Sequence, residues 1–224
     1  MRIINQGFEV ITPISEGGIE EMKRIEQIAR TCYKSENLIT ADGESAKKMV
    51  SNLIAHGHEA MLEHVSITVR FTTDRGVSHE IVRHRLASYA QESTRYCNYS
   101  KGKFGGEITC INPLNGMYVD TKMKDMSFVE LDAIYDEWYA AMCDAEKHYM
   151  RMLEMGCTPQ MARSVLPNSL KTELNMTANI REWRNFFKLR YAQAAHPQMR
   201  ELACALLEEF KARMPILFGD ITVD

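Results

Sequence analysis

Val65-Ser66-Ile67-Thr68-Val69-Arg70-Phe71-Thr72 alternates apolar and polar residues without a break. A period of two puts Val65, Ile67, Val69 and Phe71 on one face and polar side chains on the other, which marks a strand with one face buried. The same period returns at residues 169–178, where Leu170, Thr172, Leu174 and Met176 oppose Lys171, Glu173, Asn175 and Thr177. Clean alternation of this kind belongs to antiparallel sheets covered on one side. Helical spacing predicts the covering elements over residues 18–32, 44–56, 180–191 and 197–214. Gly57 reads as a left-handed stop, and Ser127-x-x-Glu130 as a capping box that opens a long helix ending at Gly156. Residues 2–12 read as a strand bent at Gly7, residues 107–111 as another, and residues 117–119 as a short one in an irregular stretch. Asp74-Arg75-Gly76 reads as a turn before a short helix from Ser78, and Thr158-Pro159 opens a further short helix that ends before Pro167. No repeat or linker divides the chain. The expected fold is therefore α+β, an antiparallel β-sheet flanked by α-helices, in one domain over residues 1–224.

Composition narrows the function. The 224 residues are 45% hydrophobic and 25% charged, enough for a sizeable core and typical of soluble proteins. No apolar run approaches the roughly 18 residues that span a bilayer, and MRIINQGFEV lacks the apolar centre of a signal peptide. A cytoplasmic protein without a membrane partner is expected. Cys32, Cys97, Cys110, Cys143, Cys157 and Cys204 are scattered with no C-x-x-C pair, as reduced thiols would be. A net charge of −3 gives no reason to expect nucleic acid. Between residues 70 and 103, however, Arg70, Arg75, Arg83, Arg85, Arg95, Lys101 and Lys103 outnumber Asp74, Glu80 and Glu92. A local positive field in an acidic chain suits a compact anionic ligand.

That field centres on Arg83-His84-Arg85-Leu86-Ala87-Ser88-Tyr89-Ala90-Gln91-Glu92-Ser93-Thr94-Arg95-Tyr96. Beyond Ile81 and Val82 only Leu86, Ala87 and Ala90 are apolar, too few for a packed helical stripe. The stretch is expected to be a helix end followed by a loop, presenting donors to anionic, planar ligands. Consecutive helical residues point about 100° apart, so Arg83, His84 and Arg85 would touch adjoining ligands rather than grip one group. Ser93-Thr94-Arg95 has the make-up of a phosphate cradle, which a merely solvated basic helix end would not need. Ser93 lacks a G-x-S-x-G elbow and reads as a ligand contact. Cys97 beside Arg95 reads as a structural thiol before a reactive one. His58-Glu59 with His64 is H-E-x4-H, which does not bring two imidazoles to one helical face, so no metal is expected. Further on, Asn179, Arg181 and Asn185 share one helix edge. Neither glycine-rich phosphate loop occurs, so a nucleotide or flavin would bind without a Rossmann turn. Two rivals stay open on residues alone. One is a metal-dependent nucleotide hydrolase using His56, His58, His64 and His84; the other is an RNA-binding module stacking bases on Tyr89, Tyr96 and Tyr99.

Arg83-His84-Arg85, seven residues, then Ser93 resembles the R-H-R-x7-S signature of flavin-dependent thymidylate synthases. Gly57-His58-Glu59 with Glu63-His64 resembles the family's upstream flavin-contacting segment, and Ala162-Arg163-Ser164-Val165-Leu166-Pro167 its A-R-x-V-L-P segment. Asn179, Arg181, Asn185 and Arg190 fall on its N-x-R-x3-N-x4-R pattern. The resemblance implies a homotetramer that converts dUMP to dTMP, with active sites shared between subunits. Methylenetetrahydrofolate would supply the carbon, and FAD reduced by NADPH the hydride. By the same resemblance Glu80, Arg83, Gln91, Ser93, Thr94, Arg95, Arg163 and Arg190 would contact dUMP. FAD would be held by His58, Glu63, Arg83, His84, Arg85, Gln91, Asn179, Arg181, Asn185 and His196. Arg190, Ser93 and Arg83 would carry the catalytic roles. Many members have Asn-Glu where this chain has Ala90-Gln91, which removes a carboxylate.

Overall fold

The two alternating segments pair with each other. In the computed structural model, which describes residues 1–114, 116, 120 and 122–222, six strands form: β1 (Arg2–Ile4), β2 (Gly7–Val10), β3 (Ser66–Asp74), β4 (Ala87–Gln91), β5 (Thr109–Ile111) and β6 (Lys171–Asn179). β3 and β6 run antiparallel with Val69 opposite Met176 and Phe71 opposite Leu174. The four-stranded sheet has the order β2-β3-β6-β4, every pair antiparallel. Its covered face carries Ile67, Val69, Phe71, Leu174, Met176 and Ala178, all buried. The antiparallel sheet with flanking helices is the expected architecture. β1 and β5 form a separate parallel pair, so residues 2–12 supply two strands to two sheets rather than one bent strand.

Among the described residues the α-helices are, in chain order, α1 (Ile19–Thr31), α2 (Glu44–Ala55), α3 (Arg75–Ile81), α4 (Phe128–Glu154), α5 (Pro159–Ala162), α6 (Ile180–Arg190), α7 (Pro197–Arg213) and α8 (Pro215–Phe218). α6 and α7 lock onto the sheet through aromatic packing: Trp183 and Phe210 rings lie 5.5 Å apart, and the Trp183 indole donates to Ile67 O at 3.0 Å. The capping box at Ser127 and Glu130 forms as expected, and Gly57 and Gly156 take positive φ. α4 is about 40 Å long at 1.5 Å per residue, yet buries only Leu131 and Tyr149.

Three local expectations are corrected. Residues 83–96 are not a helix end and a loop, because Ala87–Gln91 forms edge strand β4 on β6, with Tyr89 opposite Met176. Ala87, Tyr89 and Gln91 point inward in alternation, a short pattern that the surrounding polar residues hid. Asp74-Arg75-Gly76 is not a free turn; Asp74 is the N-cap of α3, its carboxylate accepting Val77 N at 2.6 Å, so the helix begins at Arg75 instead of Ser78. The short helix after Thr158 splits into α5 and a 3-10 turn over Arg163–Val165. The strand expected at residues 117–119 lies outside the described residues.

Candidate active site

α3 carries Arg75 at its start and Glu80 near its end, and a cluster of polar residues forms beside each. The cluster at the start is built on the turn after β4. Ser93 O accepts Tyr96 N at 3.1 Å and Cys97 N at 3.0 Å, while Ser93 Oγ accepts Arg95 N at 3.3 Å. Glu92 anchors the turn: Lys171 Nζ donates to it at 3.0 Å and Tyr99 Oη at 3.3 Å. Burial, with Glu92 alongside, pushes the Tyr99 hydroxyl well above the usual phenol range. Thr94 is buried and its Oγ1 accepts from Arg163 at 3.2 Å, while Arg95 donates to Gln160 at 3.1 Å. Arg75, Thr94, Gln160, Arg163 and Asn168 line a cavity of about 430 Å³. Arg75 Nη1 is the one buried side-chain nitrogen or oxygen among the described residues that lacks a hydrogen-bond partner. Two arginines and a hydroxyl on the wall of one cavity are arranged for an incoming anion.

The second cluster centres on Arg190 at the end of α6. Its Nη1 donates to Glu80 Oε2 at 2.8 Å, its Nη2 to Glu80 O at 2.7 Å, and its Nε to His84 Nε2 at 3.0 Å. His84 is buried, and its Nδ1 lies 2.9 Å from Glu182 Oε1. Burial holds the His84 pKa below the usual histidine value against the pull of Glu182, so the ring is neutral. The Tyr89 hydroxyl lies 2.5 Å from His84 O and 2.9 Å from Ile81 O, which fixes the turn into β4; burial pushes its pKa up to about 12. Arg83 is exposed and pairs with Glu80 at 3.7 Å.

A third group lines a cavity of about 360 Å³ made by Glu59, Glu63, Leu86, Asn179, Arg181, Glu182, Asn185 and Lys188. Four of the residues expected to meet a flavin, Glu63, Asn179, Arg181 and Asn185, are gathered here. Asn179 caps α6 through Glu182 N at 2.8 Å, and Arg181 is tied to Glu63. Arg181, Lys188 and the Asn185 amide are donors on its wall, held by Glu63, Glu59 and Glu182 respectively, and a pocket near the lower end of the usual ligand range has room for one part of a dinucleotide. His58 and Arg85 are exposed and line neither cavity. His196 lines a different one, with Pro113 and Gln198. The Gln91 amide turns inward, donating to Ser78 Oγ at 3.0 Å and Thr172 Oγ1 at 3.2 Å, so its nitrogen braces β4 instead of facing a ligand.

Arg75, Gln160 and Glu182 escaped the sequence reading. The first was absorbed into a supposed turn, and the third looked like an ordinary acidic residue in a helix's first turn. The stacking surface of an RNA-binding module is not built: Tyr99 is buried and the Tyr89 hydroxyl is turned onto His84 O, leaving Tyr96 exposed with the Arg95 guanidinium 5.4 Å from its ring. Among the described residues no three His, Cys, Asp or Glu side chains gather as a metal site, and no helix is long and apolar enough to cross a membrane.

Fold and clusters together define a class: an α+β protein whose four-stranded antiparallel sheet carries separate polar clusters with arginines in each. The sequence profile of the family described as Thymidylate synthase complementing protein matches residues 19–216, and the chain belongs to that family. Flavin-dependent thymidylate synthase from Pyrococcus abyssi is 30% identical over 182 residues, 81% of this chain and 69% of that protein. The enzyme of the same name from Corynebacterium aurimucosum is 29% identical over 217 residues, 94% of this chain and 84% of its own. Among solved structures, the UMP/dUMP methylase PolB from Streptomyces cacaoi, bound with 5-Br dUMP, has the same fold, with a TM-score of 0.78 at 21% identity over 98% of this chain and 96% of that one.

Proposed function

We propose that the chain, acting as one domain over residues 1–224, converts dUMP to dTMP, taking the carbon from methylenetetrahydrofolate and the hydride from FAD reduced by NADPH. The observation that carries this reading is the cavity that Arg75, Thr94 and Arg163 line together. A phosphate dianion there would meet two guanidinium groups and a hydroxyl. Ser93, Thr94, Arg95 and Arg163 would hold the 5′-phosphate with it. Arg190, with Glu80 and Arg83, would meet the pyrimidine.

Carbon 5 of uracil is a weak nucleophile. A guanidinium fixed beside the pyrimidine carbonyls stabilises the negative charge that develops as carbon 5 attacks the one-carbon unit. Arg190 is suited to this because three of its nitrogens already donate to Glu80 and His84, so it needs little reorganisation. Ser93 acts here as a phosphate contact, and no enzyme nucleophile is required. Flavin, when bound, supplies the hydride. Asn179, Arg181, Asn185, Glu63 and Lys188 would hold part of it, with His58, His84, Arg85, Gln91 and His196 as the family-derived remainder. The protein would work in the cytoplasm as a homotetramer with shared sites, and the length of α4 that this protomer leaves uncovered supports assembly.

The test is a visible spectrum of the purified protein before and after anaerobic NADPH. A yellow protein that bleaches, and that forms dTMP from dUMP when methylenetetrahydrofolate is added, is the expected result. A chain that takes up no FAD on reconstitution overturns the reading.

A further inference from the structure

Glu182 lies between one cavity and the Arg190 cluster. It lines the cavity of about 360 Å³ that gathers Arg181 and Asn185, yet its carboxylate points into the protein, with Oε1 2.9 Å from His84 Nδ1. Asn185 Nδ2 approaches both of its oxygens at 3.3 Å. The opposite ring nitrogen, His84 Nε2, receives Arg190 Nε at 3.0 Å. Arginine has donors only and keeps its proton in proteins. Nε2 must therefore present a lone pair, the ring proton sits on Nδ1, and that proton is donated to Glu182.

We propose that Glu182 is a positioning residue for Arg190 that acts through His84. Its carboxylate fixes the Nδ1–H tautomer, and that tautomer offers Nε2 as the acceptor that holds the Arg190 guanidinium side-on, with its outer nitrogens at Glu80. The arrangement follows the logic by which a buried carboxylate orients a histidine in hydrolase triads, here in service of an arginine. The proposal rests on the reading of Arg190 as the pyrimidine contact.

The charge state matters as much as the tautomer. Facing the His84 ring are Glu182 and Arg190 from α6 and Glu80 from α3; Tyr89 of β4 holds its backbone carbonyl, and the Phe186 ring packs at 4.9 Å. An imidazolium could not accept from Arg190 and would repel it. Glu182 favours the imidazolium, so replacing its charge should lower the pH at which the ring protonates.

The test uses FAD-loaded enzyme in three forms: wild type, Glu182→Gln and Glu182→Asp. In wild type, nitrogen-15 spectra of the histidines are expected to show His84 as a single Nδ1–H tautomer, a measurement that needs no substrate. Glu182→Gln is expected to lower kcat about 10- to 100-fold with a smaller change in KM for dUMP, the scale of loss from a displaced group. Its acid limb of kcat/KM should move to lower pH, and Glu182→Asp should restore the wild-type limb. An Nε2–H tautomer in wild type overturns the proposal even if the variants fail to fold. So does a Glu182→Gln enzyme with an unmoved acid limb and normal kcat. Wild-type protein with the expected tautomer but no dTMP formation would instead sink the functional reading.

Discussion

Replacing Arg75 with methionine should make the empty protein more stable and a worse binder of dUMP. Arg75 opens α3, and methionine retains most of the apolar length of its side chain. What disappears is Nη1, buried and without a partner. An unsatisfied buried donor costs about 1–3 kcal/mol. Because Arg75 as a whole is only half-buried, the low end of that range, about 1 kcal/mol, is appropriate. In a chain of this size that corresponds to a Tm about 2–4 °C higher. In the complex the sign reverses. A charge-assisted hydrogen bond to phosphate contributes about 1.5–3 kcal/mol, so dUMP should bind about 10- to 150-fold more weakly. Deoxyuridine, which lacks the phosphate, should bind both proteins alike. Thermal melts at matched flavin content and calorimetric titrations with the two ligands measure both effects. A variant with a lower Tm and unchanged dUMP affinity would refute the assignment of Arg75 to the anion.

Other perturbations separate the pockets. Arg163→Ala or Arg190→Ala should weaken dUMP binding while leaving the flavin absorbance in place, and loss of flavin would contradict the division of roles. Cys97→Ala should retain dTMP formation, because Cys97 packs with the cluster of Tyr99 and Tyr149 and no thiol is asked to attack; an inactive variant with intact fold and flavin would overturn that. Asp220 takes two hydrogen bonds from Arg184, at 2.7 and 2.6 Å, which hold its pKa below the usual carboxylate value. A depressed folded-state pKa contributes stability above the unfolded-state value, near 3.8, that is lost as pH falls through the folded value. Urea midpoints measured downward from pH 6 should therefore fall more steeply below pH 4 in wild type than in Asp220→Asn.

β3, β6 and the core helices were legible because each repeats one period long enough to outweigh its exceptions. β4 was not. Its five residues offer a single strong strand former, Tyr89, and the partner that makes it a strand is β6, far away in sequence. Asp74-Arg75-Gly76 begins a turn and a capped helix with the same residue types; the outcome depends on Val77 N reaching the Asp74 carboxylate. The site divides in the same way. Residues that form a motif, such as Arg163 or Asn185, could be named from spacing. Arg75 is informative through the partner it lacks, and Glu182 through a histidine 98 positions away, and neither property exists before the chain is folded.

α3 also bears on how a complete site could be assembled. Arg75 and Glu80 are five residues apart, a rise of about 7.5 Å and a rotation that leaves them roughly 140° apart around the axis. The proposed phosphate cradle beside Arg75 and the Arg190 cluster beside Glu80 thus start from different sides of one short helix. A nucleotide whose phosphate and base need both is best served by the cradle of one protomer meeting the Arg190 cluster of another, as a symmetric assembly permits. This has a measurable consequence. Arg163→Ala disables the cradle and Arg190→Ala the other half. If one subunit supplied both halves, mixing the two inactive proteins would restore nothing. With halves from different subunits, random equal mixing after dissociation leaves about a quarter of the sites with both arginines intact. Co-expressed variants should therefore recover dTMP formation towards that fraction, and mixtures that stay as inactive as their parents would refute the shared site.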